Sequence, residues 1–219
     1  MQNHNFHWTA KACGMALCAA LVGCSALPSP PQPVVRYDLG AVPALRPAVS
    51  ATGLMPVALA DIQAPLQAEG NMAVRYRLAY ADAQVLHAYT QARWSLPPSQ
   101  MVQQRLREHL SQGGRVVLSA EAGVIAPSVQ GRQVPVLRLA LEEFSHVFSE
   151  AQQSAGWVRV RATLVNPAAQ GDVLMAQRLF EARPVATASN AAAGVQALTR
   201  GVDDIGIQLN AWLQTVVSP

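Results

Sequence analysis

The side chains best suited to acid–base work are His87, His109 and His146, and none of them sits where that chemistry needs it. No two are spaced as helix-borne metal ligands of the H-E-x-x-H kind, and no G-x-S-x-G elbow offers a serine nucleophile. His146 alternates with Phe144 and Phe148, the pattern of a packed or edge histidine on a strand. Glu142 and Glu143 are neighbours on the same predicted strand, so they point to opposite faces and cannot work as an acid–base pair unless a bulge realigns them. Arg138, Arg159, Arg161 and Arg178 lie among the predicted strands with Glu142 and Glu181. They can form cross-strand ion pairs on a solvated face, or a face that docks an acidic partner or lipid head groups. Nothing in the spacing suggests a metal or a cofactor.

Cysteine and lysine usage narrows the chemistry further. The apolar run 12–22 begins directly after Lys11 and ends at Gly23. A basic start, an apolar middle of roughly 7–15 residues and a small residue at the cut form a secretory signal. The run is too short for a membrane span, which needs about 20 apolar residues. Leu21-Val22-Gly23-Cys24 resembles the lipobox of bacterial lipoproteins. That resemblance implies cleavage between Gly23 and Cys24, a diacylglycerol on the Cys24 sulfur, and a fatty acid such as palmitate on its new amino group. Acyl chains anchor a protein at about 0.8 kcal/mol per buried methylene.

Once residues 1–23 leave, Cys13, Cys18 and Lys11 leave with them, and Cys24 is consumed by lipid. Disulfides, zinc–thiolate sites, iron–sulfur clusters and cysteine nucleophiles are then excluded. So are a P-loop and Schiff-base chemistry, both of which need lysine. Fifteen arginines face thirteen acidic residues without a basic cluster, which argues against nucleic acid as a partner. No second segment is long and apolar enough to span a bilayer, so the chain is not a permease.

The elements that must position these side chains follow from periodicity. Residues 24–33 include Ser25-Ala26-Leu27-Pro28-Ser29-Pro30-Pro31-Gln32-Pro33, a Pro-rich linker favouring polyproline II. The stretches 34–40 and 54–61 read as strands, with a short helical turn at 62–66. A hairpin pairs 72–80 with 85–89. Ser95 is placed to cap a helix with Pro97 and Pro98 in its first turn, and Val102, Leu106 and Leu110 form its apolar stripe. A strand at 115–119 follows, so a strand–helix–strand crossover is expected. From 134 to 149 the apolar positions change parity, Leu137, Leu139 and Leu141 giving way to Phe144, His146 and Phe148. That switch calls for a bulge near Glu142-Glu143. Strands at 157–165 and 173–182 complete a meander. Ser189 or Asn190 caps a last helix, whose stripe Val195, Leu198, Val202, Ile205, Leu209, Trp212 and Val216 runs for about six turns and suits core packing. The aromatic group Tyr76, Tyr80, Tyr89 and Trp94 reads as core anchoring.

This order of features is similar to that of the ABC-type transport auxiliary lipoproteins, also called PqiC-like lipoproteins. The resemblance runs from Cys24 through Tyr37-Asp38-Leu39 and Arg93-Trp94-Ser95-Leu96-Pro97-Pro98 to Leu141-Glu142-Glu143-Phe144, the meander and the last helix. The Ala- and Pro-rich stretch 41–52 matches no family feature. The resemblance implies an α/β fold: one domain, 34–219, with a mixed β-sheet, helices packed on its faces and a long C-terminal amphipathic helix. It also implies a non-catalytic role beside an MCE-domain protein, a permease and an ATPase that move phospholipid or other lipids between two membranes. Ser25, where an aspartate would retain a lipoprotein in the inner membrane, points to the periplasmic face of the outer membrane. The alternatives are a lipid-anchored hydrolase with a dispersed Ser/His/Asp set and a purely structural envelope lipoprotein.

Overall fold

Two long alternating segments committed to one apolar face set the architecture. The computed structural model describes residues 33–41, 54–65, 71–112, 114–120, 127–129 and 131–216. The signal segment 1–23, Cys24, the linker up to 32, residues 42–53 and Leu66 lie outside the described residues. In chain order the elements are β1 (Val35–Tyr37), β2 (Val57–Ala60), β3 (Ala73–Leu78), β4 (Asp82–Trp94), α1 (Pro98–Gln112) and β5 (Val117–Ala120). There follow β6 (Ser128–Val129), β7 (Arg132–Gln133), β8 (Val136–Glu150), β9 (Gln153–Asn166), β10 (Val173–Ala182) and α2 (Ala191–Val216). The expected α/β class with a mixed sheet is observed.

Strand β8 organises the sheet. One of its edges pairs antiparallel with β9 along nearly its whole length, and β9 pairs with β10. The other edge is shared. Its first half takes β2 in parallel, with β5 beyond. Its second half takes β3 in parallel, followed by β4 and β1. The sheet therefore forks at β8, and the bridge Gln63↔Ala140 lies between the two limbs. The expected crossover around α1 is not formed. β4 runs antiparallel to β8 and β5 runs parallel to it, on different limbs. The physical reason is that β4 has both its edges occupied, by hairpin partner β3 and by β1, so the chain after α1 pairs with β2 instead.

The bulge foreseen from the parity switch is present. The β8–β9 register shifts between Leu141 and Glu143, which leaves Glu142 as the extra residue and keeps both halves of β8 apolar on the same side. Both helices cover that side. Val195, Leu198, Val202, Ile205, Leu209 and Trp212 of α2 and Met101, Val102, Leu106 and Leu110 of α1 are buried in one cluster with the strands. A smaller cluster, Ala58, Val134, Val136 and Val165, lies apart from it with Val129 of the β6–β7 hairpin against it. Asn190 caps α2: its Oδ1 accepts from the Ala193 amide at 2.9 Å. Ser95 does not cap α1 as expected. Its hydroxyl faces Met101 Sδ, and the Gln100 and Met101 amides bond the Pro97 carbonyl.

Helix α2 lies unusually close to the sheet. A Cβ placed on Gly156 of β9 would stand 2.6 Å from the backbone C of Ala197 and the backbone N of Leu198. A Cβ on Gly201 of α2 would stand 2.8 Å from Val158 Cγ2. Gly156→Ala therefore pushes backbone against backbone and is expected to cost about 1–3 kcal/mol, read as a lower denaturant midpoint at unchanged m-value. An unchanged midpoint would mean that the helix stands farther from the sheet.

Candidate functional site

The sheet face opposite the helices carries most of the predicted site. Its charges are arranged around the Glu142 bulge. Arg159 Nη2 and Arg161 Nε donate to the two carboxylate oxygens of Glu142 at 3.2 and 2.6 Å. Arg159 also approaches Glu181, at 3.8 Å, and Glu181 accepts from Arg183 Nε at 2.7 Å. Arg77 of β3 reaches Glu143 at 3.1 Å, and Arg138 pairs with Asp172. The structure thus brings Arg159 and Arg161 together and places Arg138 on the same face, opposite Thr163. Arg178 does not join them. The β9–β10 register puts it opposite Ala162, on the helix side, where its guanidinium lies 5.2 Å from the centroid of the Phe180 ring. Arg178 shares its parity with Phe180 and Ala182 in the unbroken pairing from Ala176 to Ala182, so the expected single four-arginine face is split. Arg138, Arg159 and Arg161 are each already matched to a carboxylate.

A second polar group joins the helices. Asp203 of α2 accepts from Arg105 Nε at 2.6 Å and Nη2 at 2.8 Å, a bidentate pair, and its Oδ1 is 2.7 Å from His109 Nε2. Arg105 Nη1 donates to the carbonyls of Leu39 and Gly40, so this side chain ties α1, α2 and the segment after β1 together. Burial alone would raise the Asp203 carboxyl, but the hydrogen bonds and charges of Arg105 and His109 outweigh it and hold the group below the ordinary carboxylate range. His109 meets a carboxylate but no nucleophile, and its ring packs where a Cβ on Gly206 would stand 2.6 Å from Cγ.

Among the described residues no group of three or more His, Cys, Asp or Glu side chains is placed to hold a metal ion. A groove of about 500 Å³ runs between Asp61 and α1, lined by Ser99, Gln100, Gln103 and Arg107. It is partly bridged by Gln103, which donates to Asp61 and accepts from the Ile62 amide.

Comparison with known proteins places this scaffold. The sequence profile of the ABC-type transport auxiliary lipoprotein component family matches residues 37–209, from the end of β1 into the last turns of α2. The chain belongs to that family. No curated protein matches it. The auxiliary lipoprotein is similar in fold to a crystal structure of a protein from Xanthomonas campestris, at 18% identity and TM-score 0.60, covering 84% of this chain and 93% of that one. It is also similar to an uncharacterised protein of solved structure, at 15% identity and TM-score 0.61, covering 83% and 99%.

The aromatic group of the auxiliary lipoprotein is mostly internal. Tyr76, Tyr89 and Trp94 face the core side, whereas Tyr80 is exposed at the β3–β4 turn. His146 is 0% exposed, with Phe148 4.4 Å away between ring centroids and α2 so close that a Cβ on Gly194 would meet its Nδ1. Burial and then Tyr76 push the Tyr89 phenol up, so it stays protonated, and its hydroxyl is hydrogen-bonded to His146 Nδ1 at 2.8 Å. Nε2 of His146 has no partner among the described residues. Burial lowers His146 from 6.5 to about 4. The unfolded chain then binds more protons between those values, so stability falls as pH drops through that window, by about 2–3 kcal/mol. His146→Gln is expected to flatten this part of the pH profile in urea titrations; an unchanged slope would place the titration elsewhere.

Asp203 and Arg105, which the sequence reading did not single out, are separated by 98 residues. Their only sequence signal is a charged residue inside the apolar stripe of each helix.

Proposed function

We propose that this chain is a periplasm-facing lipoprotein, anchored in the outer membrane through Cys24, that docks an MCE/ABC-type lipid-transport system to that membrane. The match of the auxiliary-lipoprotein family over residues 37–209 carries this reading, since it spans the sheet and most of α2. On this reading residues 1–23 are the signal, 24–33 the tether and 34–219 the working domain. Its partners are an MCE-domain protein with the permease and ATPase of the same system, and phospholipid or another lipid is the cargo.

The function is binding, not bond breaking. Two structural features support it. The far edge of β10 pairs with no described strand and carries exposed Val173, Leu174, Met175 and Leu179, a surface suited to a partner's extended segment. His146 is bonded to a phenol and His109 to a carboxylate, neither to a serine or threonine hydroxyl.

Purification of the intact lipoprotein from its own membranes is expected to recover transport components and phospholipid. Recovery of envelope structural proteins alone would favour a scaffold with no transport role. Cys24→Ser is expected to abolish incorporation of labelled palmitate; persistent labelling would remove Cys24 as the anchor.

A further inference from the structure

We propose that the β1–β4–β3 end of the outer sheet face binds the phosphate of anionic lipid head groups through Arg36, Arg75 and Arg93, beside the buried hydroxyl of Ser145. This rests on the lipid-anchored reading above. The ladder assembles the group. Arg36 stands directly opposite Arg93, and Arg93 opposite Ala73. Arg75 lies two residues farther along β3 on the same face, and the pair Tyr76↔His146 sets it beside Ser145 of β8. The intervening residues Tyr37, Val74, Ala92, Trp94 and Phe144 all turn toward the core.

Like charges directly opposed in a ladder are destabilising. Elsewhere on this face that cost is met by carboxylates: Arg77 has Glu143, Arg159 and Arg161 have Glu142, and Arg138 has Asp172. At this end it is not. Among the described residues the only hydrogen bonds of Arg93 go to the carbonyls of Tyr89 and Ala92 at 2.6 and 2.9 Å. No carboxylate of the described residues pairs with Arg36, Arg75 or Arg93. Asp38, two residues beyond Arg36, accepts from the Gly40 amide, and with it counted an excess of positive charge remains. Ser145 is 0% exposed and its Oγ has no partner among the described residues, a donor left open where burial makes that costly. Guanidinium groups gathered on one face without carboxylate partners suit a phosphate.

The position of β1 selects a membrane surface over a soluble anion. Val35 follows Cys24 by eleven residues, and a chain of that length reaches at most about 40 Å. Val34 and Val35 precede Arg36 and are 52% and 47% exposed, and Leu96, just past the end of β4 that pairs with β1, is 46% exposed. Apolar side chains beside arginines are the combination that settles at the head-group level of an anionic leaflet.

The test uses the full lipidated chain in nanodiscs of phosphatidylcholine alone or with one-third phosphatidylglycerol. Arginine modification by phenylglyoxal is followed residue by residue by mass spectrometry. In the anionic discs Arg36, Arg75 and Arg93 are expected to react about five-fold more slowly or less, the occupancy gained per arginine at an anionic surface, while Arg200 on α2 is unchanged. One-molar salt should restore the rates. An Arg36→Gln/Arg93→Gln variant with unchanged melting temperature should lose the protection of Arg75. Equal rates in both discs would overturn the proposal. Equal protection by glycerol phosphate with phosphatidylcholine discs would overturn the lipid surface in favour of a free phosphate. Failure of the chain to elute with either disc would count against the Cys24 anchor instead, and anionic vesicles added to the free protein would then decide the site by the same readout.

Discussion

Asp203→Ala is expected to destabilise the domain by about 3–5 kcal/mol, the cost of leaving a buried guanidinium without its carboxylate. Arg105 is 4% exposed and keeps only the Leu39 and Gly40 carbonyls as partners once Asp203 is gone. His109 loses its partner in the same step. At about 2–4 °C per kcal/mol for a chain of this size, the melting temperature should fall by roughly 10 °C. The sign with pH separates charge from packing. The Asp203 carboxyl is depressed in the fold, so its contribution is complete above the ordinary carboxylate pKa and is lost as pH falls through the folded value. The gap between wild type and Asp203→Ala must therefore narrow in acid. An equal gap at pH 7 and pH 3 would show that the loss is a cavity and not an ion pair.

Leu198→Ala and Leu209→Ala are each expected to cost about 2–5 kcal/mol, because both side chains are fully buried between α2 and the strands. That is a large share of a total stability of roughly 5–15 kcal/mol. Thermal melts of the two variants should fall by several degrees or more. Unchanged melting combined with loss of co-purifying partners would show that the stripe is an interface.

Features set by local alternation were legible in the sequence. The step from Leu141 to Phe144 announced the Glu142 bulge, because a strand buried on one face cannot change parity without an extra residue. The stripe of α2 and the bounds of β10 were readable for the same reason. What depended on strand partners was not. Nothing in residues 57–60 or 73–78 says that both will share one edge of β8, and so the fork was missed. The crossover around α1 was expected from element order alone, and hairpin pairing of β4 displaced it. The site shows the same division. Arg159 and Arg161 could be placed on one face by counting in twos. The same count puts Arg178 with Phe180 and Ala182 on the buried side, so grouping it with the other arginines passed over a parity that the strand already carried. The Arg105–Asp203 pair needed tertiary distance that no spacing encodes.

The close seat of α2 also sets an order of events during synthesis. The helix is the last element of the chain, and Val158, Val160, Phe180 and Leu106 share its cluster. Until Leu209 and Leu213 join them, Val158, Val160 and Phe180 lack the helix that covers them and stay wet. The nascent chain therefore cannot complete a stable core before α2 is made, since burial must outweigh backbone ordering before the fold holds.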